Sequence, residues 1–316
     1  MSVVVFGSLN MDLVTQVTRL PKPGETLMGS AFFTTAGGKG ANQAVAAAKL
    51  GAVVKMIGRV GDDAWGTELV AGLTAVGVET DGITTEPGVH SGVAVITVAE
   101  SGENQILGVY GANDRLDESD VERLKTRLVE AKVLLLQLEV PVKAVKQAAQ
   151  VAHEMGVTVV LDPAPVREES IAACYPFVDF LIPNEVETGQ LVGFEVMNEP
   201  TARRATRVLH QKGLRKVIVK LGAKGAFYSA LRSPIDSTDS QLETLWVPAF
   251  QVKAIDAVAA GDAFAGAFAV ALCEGKTDVD AVRWGCAAGA LATTKVGAQV
   301  AMSDRASFDA FLEGVG

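Results

Sequence analysis

Short runs of β-branched and aliphatic residues alternate along the chain with longer segments whose apolar positions recur at helical spacing. The runs at 3–6, 54–57, 133–138, 157–161, 177–182 and 216–220 are short and mostly apolar. They predict strands buried on both faces. Between them, segments 41–50, 65–75, 119–130, 142–155 and 201–212 predict helices. Gly51, Gly77, Gly156 and Gly213 stand just past four of these, where a helix end takes left-handed backbone. The alternation predicts an α/β fold with a mostly parallel sheet covered by helices on both faces.

Segments 13–20, 30–36, 92–99 and 104–109 break the alternation, because they read as extended with no helix between them. The last two are joined by Glu-Ser-Gly-Glu at 100–103, a hairpin turn. These segments predict a small separate β-layer, a lid over the carboxyl edge of the main sheet. Segment 232–243 is rich in Ser, Pro, Asp and Thr and predicts a surface loop. No repeat or low-complexity linker divides the 316 residues, so one domain spanning 1–316 with its lid is expected.

Composition narrows the functions open to such a fold. Hydrophobic residues make up 49% and charged residues 21%, enough for a large packed core. A net charge of −9 argues against a nucleic-acid surface, so any polyanion must be held locally by backbone amides, a few cations and a metal. Cys174, Cys273 and Cys286 show no C-x-x-C spacing and read as reduced thiols of a cytoplasmic protein. The start of the chain lacks a basic region and Asp12 interrupts its apolar stretch, so no secretory signal is expected. No window of about 18 residues is apolar enough to predict a membrane span. His90, His153 and His210 form no metal-ligand pattern.

Four segments carry candidate chemistry. Ile-Asp-Ala-Val-Ala-Ala-Gly-Asp at 255–262 precedes the apolar segment 265–273. Small residues ahead of a helix admit a ligand to unpaired amides, so 259–262 predicts an anion site. Asp262 in that first turn could take a proton from a hydroxyl facing the same anion, or simply complement the helix dipole. Gly-Gly-Lys-Gly-Ala-Asn at 37–42 also opens a helix, with Lys39 and Asn42 as donors to hydroxyls, although a tight turn with a solvent-facing lysine fits too. The spacing is not that of a P-loop. Asn10 and Asp12 follow the first strand, where open α/β sheets bind ligands, though Asp12 could be a turn residue. Gly7 lacks the further glycines of a dinucleotide fingerprint, which disfavours a nicotinamide oxidoreductase. Asn184 and Glu187, three apart after a strand, suit a magnesium ion held through water, but on their own they read better as a helix capping box.

In this order the four segments resemble the ribokinase-like carbohydrate kinases over nearly the whole chain. Pro-Lys-Pro-Gly-Glu at 21–25, Gln-Leu-Glu at 137–139 and Lys-Val-Gly-Ala-Gln at 295–299 fit as well. Together they outweigh the separate alternatives. The resemblance implies a Rossmann-like three-layer sandwich with a β-sheet lid, and transfer of the ATP γ-phosphate to a small sugar, with the 5-hydroxyl of ribose expected as acceptor. It implies Asp262 as catalytic base, Ala259, Ala260 and Gly261 as anion hole, and Asn10, Asp12, Gly38, Lys39, Asn42 and Glu139 around the sugar hydroxyls. Asn184, Lys220, Gly222, Gly225, Gly261 and Cys286 are implied at the nucleotide, with Glu187 near Mg²⁺. A potassium site is implied at Asp256, Val258, Ala292, Lys295 and Gly297. Here the chain departs from the pattern, because Ala257 and Val258 follow Asp256 where a hydroxyl residue is usual, and Ala301 stands where serine is common. A homodimer joined through the lid is also implied. A kinase for another sugar or nucleoside is the nearest rival. A sugar-binding regulator without catalysis should lack Asp262 or Glu187, and both are present.

Overall fold

The computed structural model describes residues 2–167, 171–232 and 242–314. Its strands are β1 (Ser2–Phe6), β2 (Asn10–Val17), β3 (Ala31–Gly37), β4 (Val53–Gly61), β5 (Glu79–Glu86), β6 (Gly92–Ala99), β7 (Asn104–Val109), β8 (Ala131–Leu136), β9 (Thr158–Leu161), β10 (Phe180–Leu181), β11 (Lys216–Lys220), β12 (Gly225–Leu231) and β13 (Leu242–Pro248). Its helices are α1 (Lys39–Lys49), α2 (Ala64–Ala75), α3 (Glu118–Leu128), α4 (Val142–Glu154), α5 (Glu185–Val192), α6 (Glu199–Gln211), α7 (Ala260–Cys273), α8 (Asp278–Ala292) and α9 (Arg305–Gly314).

Nine strands form the main sheet in the order β13-β12-β11-β10-β9-β8-β1-β4-β5. Pairing is parallel from β5 to β11, while β12 and β13 close one edge antiparallel. Alternate residues of β1 enter opposite cores: Val3 and Val5 pack towards α1, α7 and α8, and Val4 and Phe6 towards α3 and α4. All four are fully buried. The near-continuous apolar runs of the sequence reflect this two-sided burial.

The chain winds from β1 towards β4 in one direction and from β8 towards β11 in the other, so the order reverses between β1 and β8. Open α/β sheets bind ligands beyond the carboxyl ends at such a reversal. The second sheet, β3-β2-β6-β7, stands apart from the first, as its uninterrupted extended segments predicted. It starts at the reversal, since Asn10 pairs with both Gly37 and Gly92.

Several boundaries differ from the sequence reading: the segment expected at 13–20 is β2 at Asn10–Val17, and the run expected at 54–57 extends through Val53–Gly61 as β4. The strand predicted at 177–182 shrinks to Phe180–Leu181, because residues Ile171–Phe177 form a 3₁₀ turn containing Pro176. The loop predicted at 232–243 lies largely outside the described residues, and its last two positions already belong to β13.

Candidate active site

Four elements converge on Asp262. It lies in the first turn of α7 and is 5% exposed. Asn42 Nδ2 donates to its Oδ2 at 3.0 Å and Gln43 Nε2 to its Oδ1 at 3.2 Å, both from the N-terminal half of α1. The two helices meet through small residues: a Cβ at Gly266 would lie 2.5 Å from Ala46 Cβ. This close approach is why helical neighbours in α1 can reach a carboxylate on α7.

Burial pushes the Asp262 carboxyl up to about 6, with Asp162 and Glu139 adding to the rise and Lys39 and Asn42 opposing it. Asp12 in β2 is pushed up to about 7, first by burial and then by Glu139 and Asp262. Lys39 answers both. Burial alone would lower its proton affinity, but Asp262, Glu139, Asp162 and Glu187 more than offset that and hold it firmly charged.

Across the reversal, Glu139 Oε2 accepts from Ser8 Oγ at 2.6 Å, Asn10 Nδ2 at 3.2 Å and the Lys39 amide at 3.0 Å. Asn113 holds Asn10 by donating to its Oδ1 at 2.8 Å. Gly38 sits at φ 87°, and a Cβ there would come within 2.7 Å of the Asn10 amide, so the tight entry into α1 requires glycine. Asn42 Oδ1 is buried and has no partner among the described residues, leaving an acceptor open beside Asp262.

At the start of α7, Ala259 takes left-handed backbone at φ 57° and no side chain caps the helix. The Ala260 amide reaches the Ala257 carbonyl at 3.3 Å, a long bond. A cavity of about 330 Å³ opens at this helix start. Its wall includes Lys220, Gly222, Gly225, Ala260, Gly261 and Cys286, six positions the sequence placed at a nucleotide or anion site. Phe250 and Phe264 supply flat apolar faces. Burial pushes the Cys286 thiol up to about 12, so it lines the cavity as a neutral group. Gly222 and Gly225 stand at φ 52° and 108° around a short 3₁₀ turn.

Asn184 and Glu187 are drawn into one another. Asn184 donates to both Glu187 oxygens, from its amide at 2.7 Å and its Nδ2 at 2.9 Å, while the Glu187 amide donates back to Asn184 Oδ1 at 2.8 Å. The capping box of the sequence reading is thus present, and the pair also lies beside Lys220 through a parallel bridge from Asn184. Burial and Asp162 raise the Glu187 carboxyl, and Lys220 opposes them. No cluster of three or more His, Cys, Asp or Glu among the described residues could hold a metal alone.

Farther along the same face, Asp256 accepts from the Val258 amide at 3.0 Å and the Gly297 amide at 2.9 Å. It thereby ties the 256–258 loop to the 295–297 loop. Ala292 and Ala301 are buried, and the Lys295 amide donates to the Ala292 carbonyl at 3.3 Å.

Three buried residues here, Asp162, Gln137 and Gln43, were given no role from the sequence. Asp162 follows β9 and accepts from Lys220 Nζ at 2.9 Å, so the rule that flagged Asn10, polar residues after a strand, would have found it. Gln137 follows β8 in the same way. Gln43 gave no signal of its own, being one polar residue in an alanine-rich helix.

A sheet reversal crowned by a buried carboxylate, with a small-residue helix start opening on a cavity of about 330 Å³, fits a phosphotransferase of the α/β class. The family model of the pfkB carbohydrate kinases matches residues 1–305, and the chain belongs to that family. It is 41% identical to a ribokinase of Haemophilus influenzae over 99% of this chain and 98% of that one. It is 40% identical to a deoxyribokinase of Salmonella typhi over 85% of each. The structure superposes on an Arabidopsis thaliana ribokinase complexed with ribose and ATP with a TM-score of 0.87, at 32% identity, covering 99% of this chain and 98% of the other. ATP-dependent carbohydrate kinases of this kind work with a divalent metal on the nucleotide. No helix among the described residues is long and apolar enough to cross a membrane.

Proposed function

We propose that this chain transfers the γ-phosphoryl group of ATP to the 5-hydroxyl of D-ribose, giving ribose 5-phosphate and ADP, with residues 1–316 acting as one catalytic unit. The observation that carries the reading is Asp262, a buried carboxylate in an uncapped helix start that opens on the nucleotide-sized cavity. Full-length similarity to ribokinases supports the choice of sugar.

Asp262 receives the proton of the 5-hydroxyl as that oxygen attacks the γ-phosphorus in line, and the β–γ bridging oxygen departs with ADP. Its carboxyl at about 6 stays ionised at neutral pH and is more basic than an ordinary aspartate. Such a base contributes about 10²–10⁴-fold. The amides of Ala259, Ala260 and Gly261 hold the oxygens of the transferring group, the Ala260 amide leaving its long bond to Ala257 to do so. Asn10, Asp12, Gly38, Lys39, Asn42 and Glu139 grip the sugar hydroxyls, with Asn42 Oδ1 as an open acceptor. Lys220, Gly222, Gly225 and Cys286 surround the nucleotide, and Asn184 flanks it. The small sheet shields the reaction from water, a competing acceptor.

Mg²⁺, when bound with ATP, neutralises charge on the β- and γ-phosphates. The oxygen donors of Glu187 and Asp162 would suit it through water. Main-chain carbonyls of Asp256, Val258, Ala292, Lys295 and Gly297 suit potassium, and the loop junction made by Asp256 supports that site despite apolar Ala257, Val258 and Ala301. Turnover in potassium at least about tenfold above that in choline would be expected, and equal rates would remove the ion. Exposed Phe32, Ile106, Leu107 and Val109 on the small sheet support pairing of two copies through that sheet. A monomer mass by light scattering at micromolar concentration would refute the pairing. Free thiols at Cys174, Cys273 and Cys286 favour the cytoplasm as its compartment.

The test is ADP release by the purified chain with D-ribose, 2-deoxy-D-ribose, fructose and adenosine, with the product's phosphorylated carbon located by NMR. Ribose should give the highest kcat/KM and carry phosphate at C5. A higher kcat/KM for any other acceptor, or no acceptor-dependent turnover, would overturn the assignment.

A further inference from the structure

Gln43 has no exposed surface and uses every polar atom of its side chain. Its Nε2 donates to Asp262 Oδ1 at 3.2 Å and to Asp162 Oδ2 at 3.1 Å, while its Oε1 accepts from Gln137 Nε2 at 2.6 Å. Asp162 in turn accepts from Lys220 Nζ, and that ammonium lies 3.5 Å from where a Cβ on Gly261 would stand. An unbroken polar chain therefore runs from the cation at the phosphate-facing helix start to the carboxylate in its first turn.

We infer that Gln43 is a positioning residue for phosphoryl transfer, coupling Asp262 to the Lys220–Asp162 pair, with Gln137 supporting its amide as donor to Oε1. This rests on the reading of Asp262 as the base. Asn42 holds one oxygen of that carboxylate and Gln43 the other, so the plane of the carboxylate is set by both. Turned by 180°, the Gln43 amide would aim its oxygen at two carboxylates and its hydrogens at the Gln137 donor. The two carboxylates therefore select the orientation, and Gln137 completes it by donating to Gln43 Oε1. Its own position depends on Gly7, where a Cβ would collide with Gln137 Oε1.

Two effects on the reaction follow. A donor to the ionised carboxylate keeps Asp262 available as a base at neutral pH. A phosphate that draws Lys220 away from Asp162 leaves that carboxylate less neutralised, and its charge then raises the basicity of Asp262 across the amide. The other charges facing Asp262 are Lys39 from α1, Glu139 from the segment after β8 and Asp12 from β2.

The test is kcat and KM against pH for the wild type, Gln43→Met and Gln137→Met, with Asp262→Asn alongside. Gln43→Met should lower kcat at neutral pH by about tenfold or more, with both KM values within about threefold. Its acidic limb should move up by about one pH unit, because the ionised carboxylate has lost a donor. Gln137→Met should shift the same way and less far. A packing role alone would lower stability and leave the acidic limb in place. Wild-type limbs and kcat in both glutamine variants, with Asp262→Asn inactive, would refute the role of Gln43 and leave the base standing. An active Asp262→Asn would instead remove the base. If Gln43→Met does not fold, the limb of Gln137→Met decides.

Discussion

Asp262→Asn should leave the protein more stable and nearly inactive. The free carboxyl in an unfolded chain titrates near 3.8, and in the folded chain burial raises it to about 6. Between these values the folded state binds more protons than the unfolded state, so the wild type loses stability as pH rises through that window and stays low above it. At about 1.36 kcal/mol per pKa unit, ionised Asp262 costs the fold roughly 3 kcal/mol at pH 8. Asparagine removes that cost. It also gives up one acceptor, leaving either Asn42 or Gln43 facing an NH₂ group, which takes back about 1 kcal/mol. The net gain of about 2 kcal/mol corresponds to about 3 °C in melting temperature for a chain of this length. Urea unfolding of the ligand-free proteins at pH 4, 6 and 8, followed by tryptophan fluorescence, would measure it. The gain should be largest at pH 8 and vanish near pH 4. Turnover should fall by at least about 10² with sugar affinity retained. A variant no more stable than the wild type at pH 8 would refute the argument from desolvation, and turnover within about tenfold of the wild type would remove Asp262 as the base.

Asp12 is pushed up to about 7, so as an acceptor of sugar hydroxyls it is progressively lost below neutrality. KM for ribose should rise as pH falls from 8 to 6 while KM for ATP holds, and a flat ribose KM would exclude that role. Arg59→Ala strips the fully buried Asp120 of donors at 3.0 and 2.7 Å, leaving Arg123 as its remaining cation. A loss of about 3 kcal/mol is expected in urea unfolding, with kcat per folded molecule unchanged. Gly266→Ala sets a methyl 2.5 Å from Ala46 Cβ and 2.9 Å from the Ala47 amide. Prising α1 from α7 should cost about 1–3 kcal/mol and lower kcat, since Asn42 and Asp262 sit on opposite sides of that contact; unchanged kcat would show the two helices shift together.

The interior of this fold was more legible in the sequence than its margins. Strands such as β1 and β8, buried on both faces, leave short apolar runs bounded by polar or glycine positions, which read as strands. β5 and β13 have a partner on one side only, so TDGITTE and LETLWVP carry polar residues and escaped notice. Helix α8 escaped because alanine and glycine dominate DVDAVRWGCAAGALA and blur its apolar face. Asp262, Asn42 and Glu139 stood out through their motifs. Gln43 did not, because its importance comes from two carboxylates 119 and 219 positions away, a proximity created only by folding.

All connections to the small sheet leave the body along one row. Asn10, Gly37 and Gly92 are paired neighbours there, and Val109 stands opposite Val93 one step beyond. A plate attached along a single line can swing about that line and little else. Asn10, pinned by Asn113, lies on the axis and would keep its place while the far end at Val17 and Ala99 travels farther. The body would therefore present the same Asn10 contact to an arriving sugar whether the plate is raised or lowered.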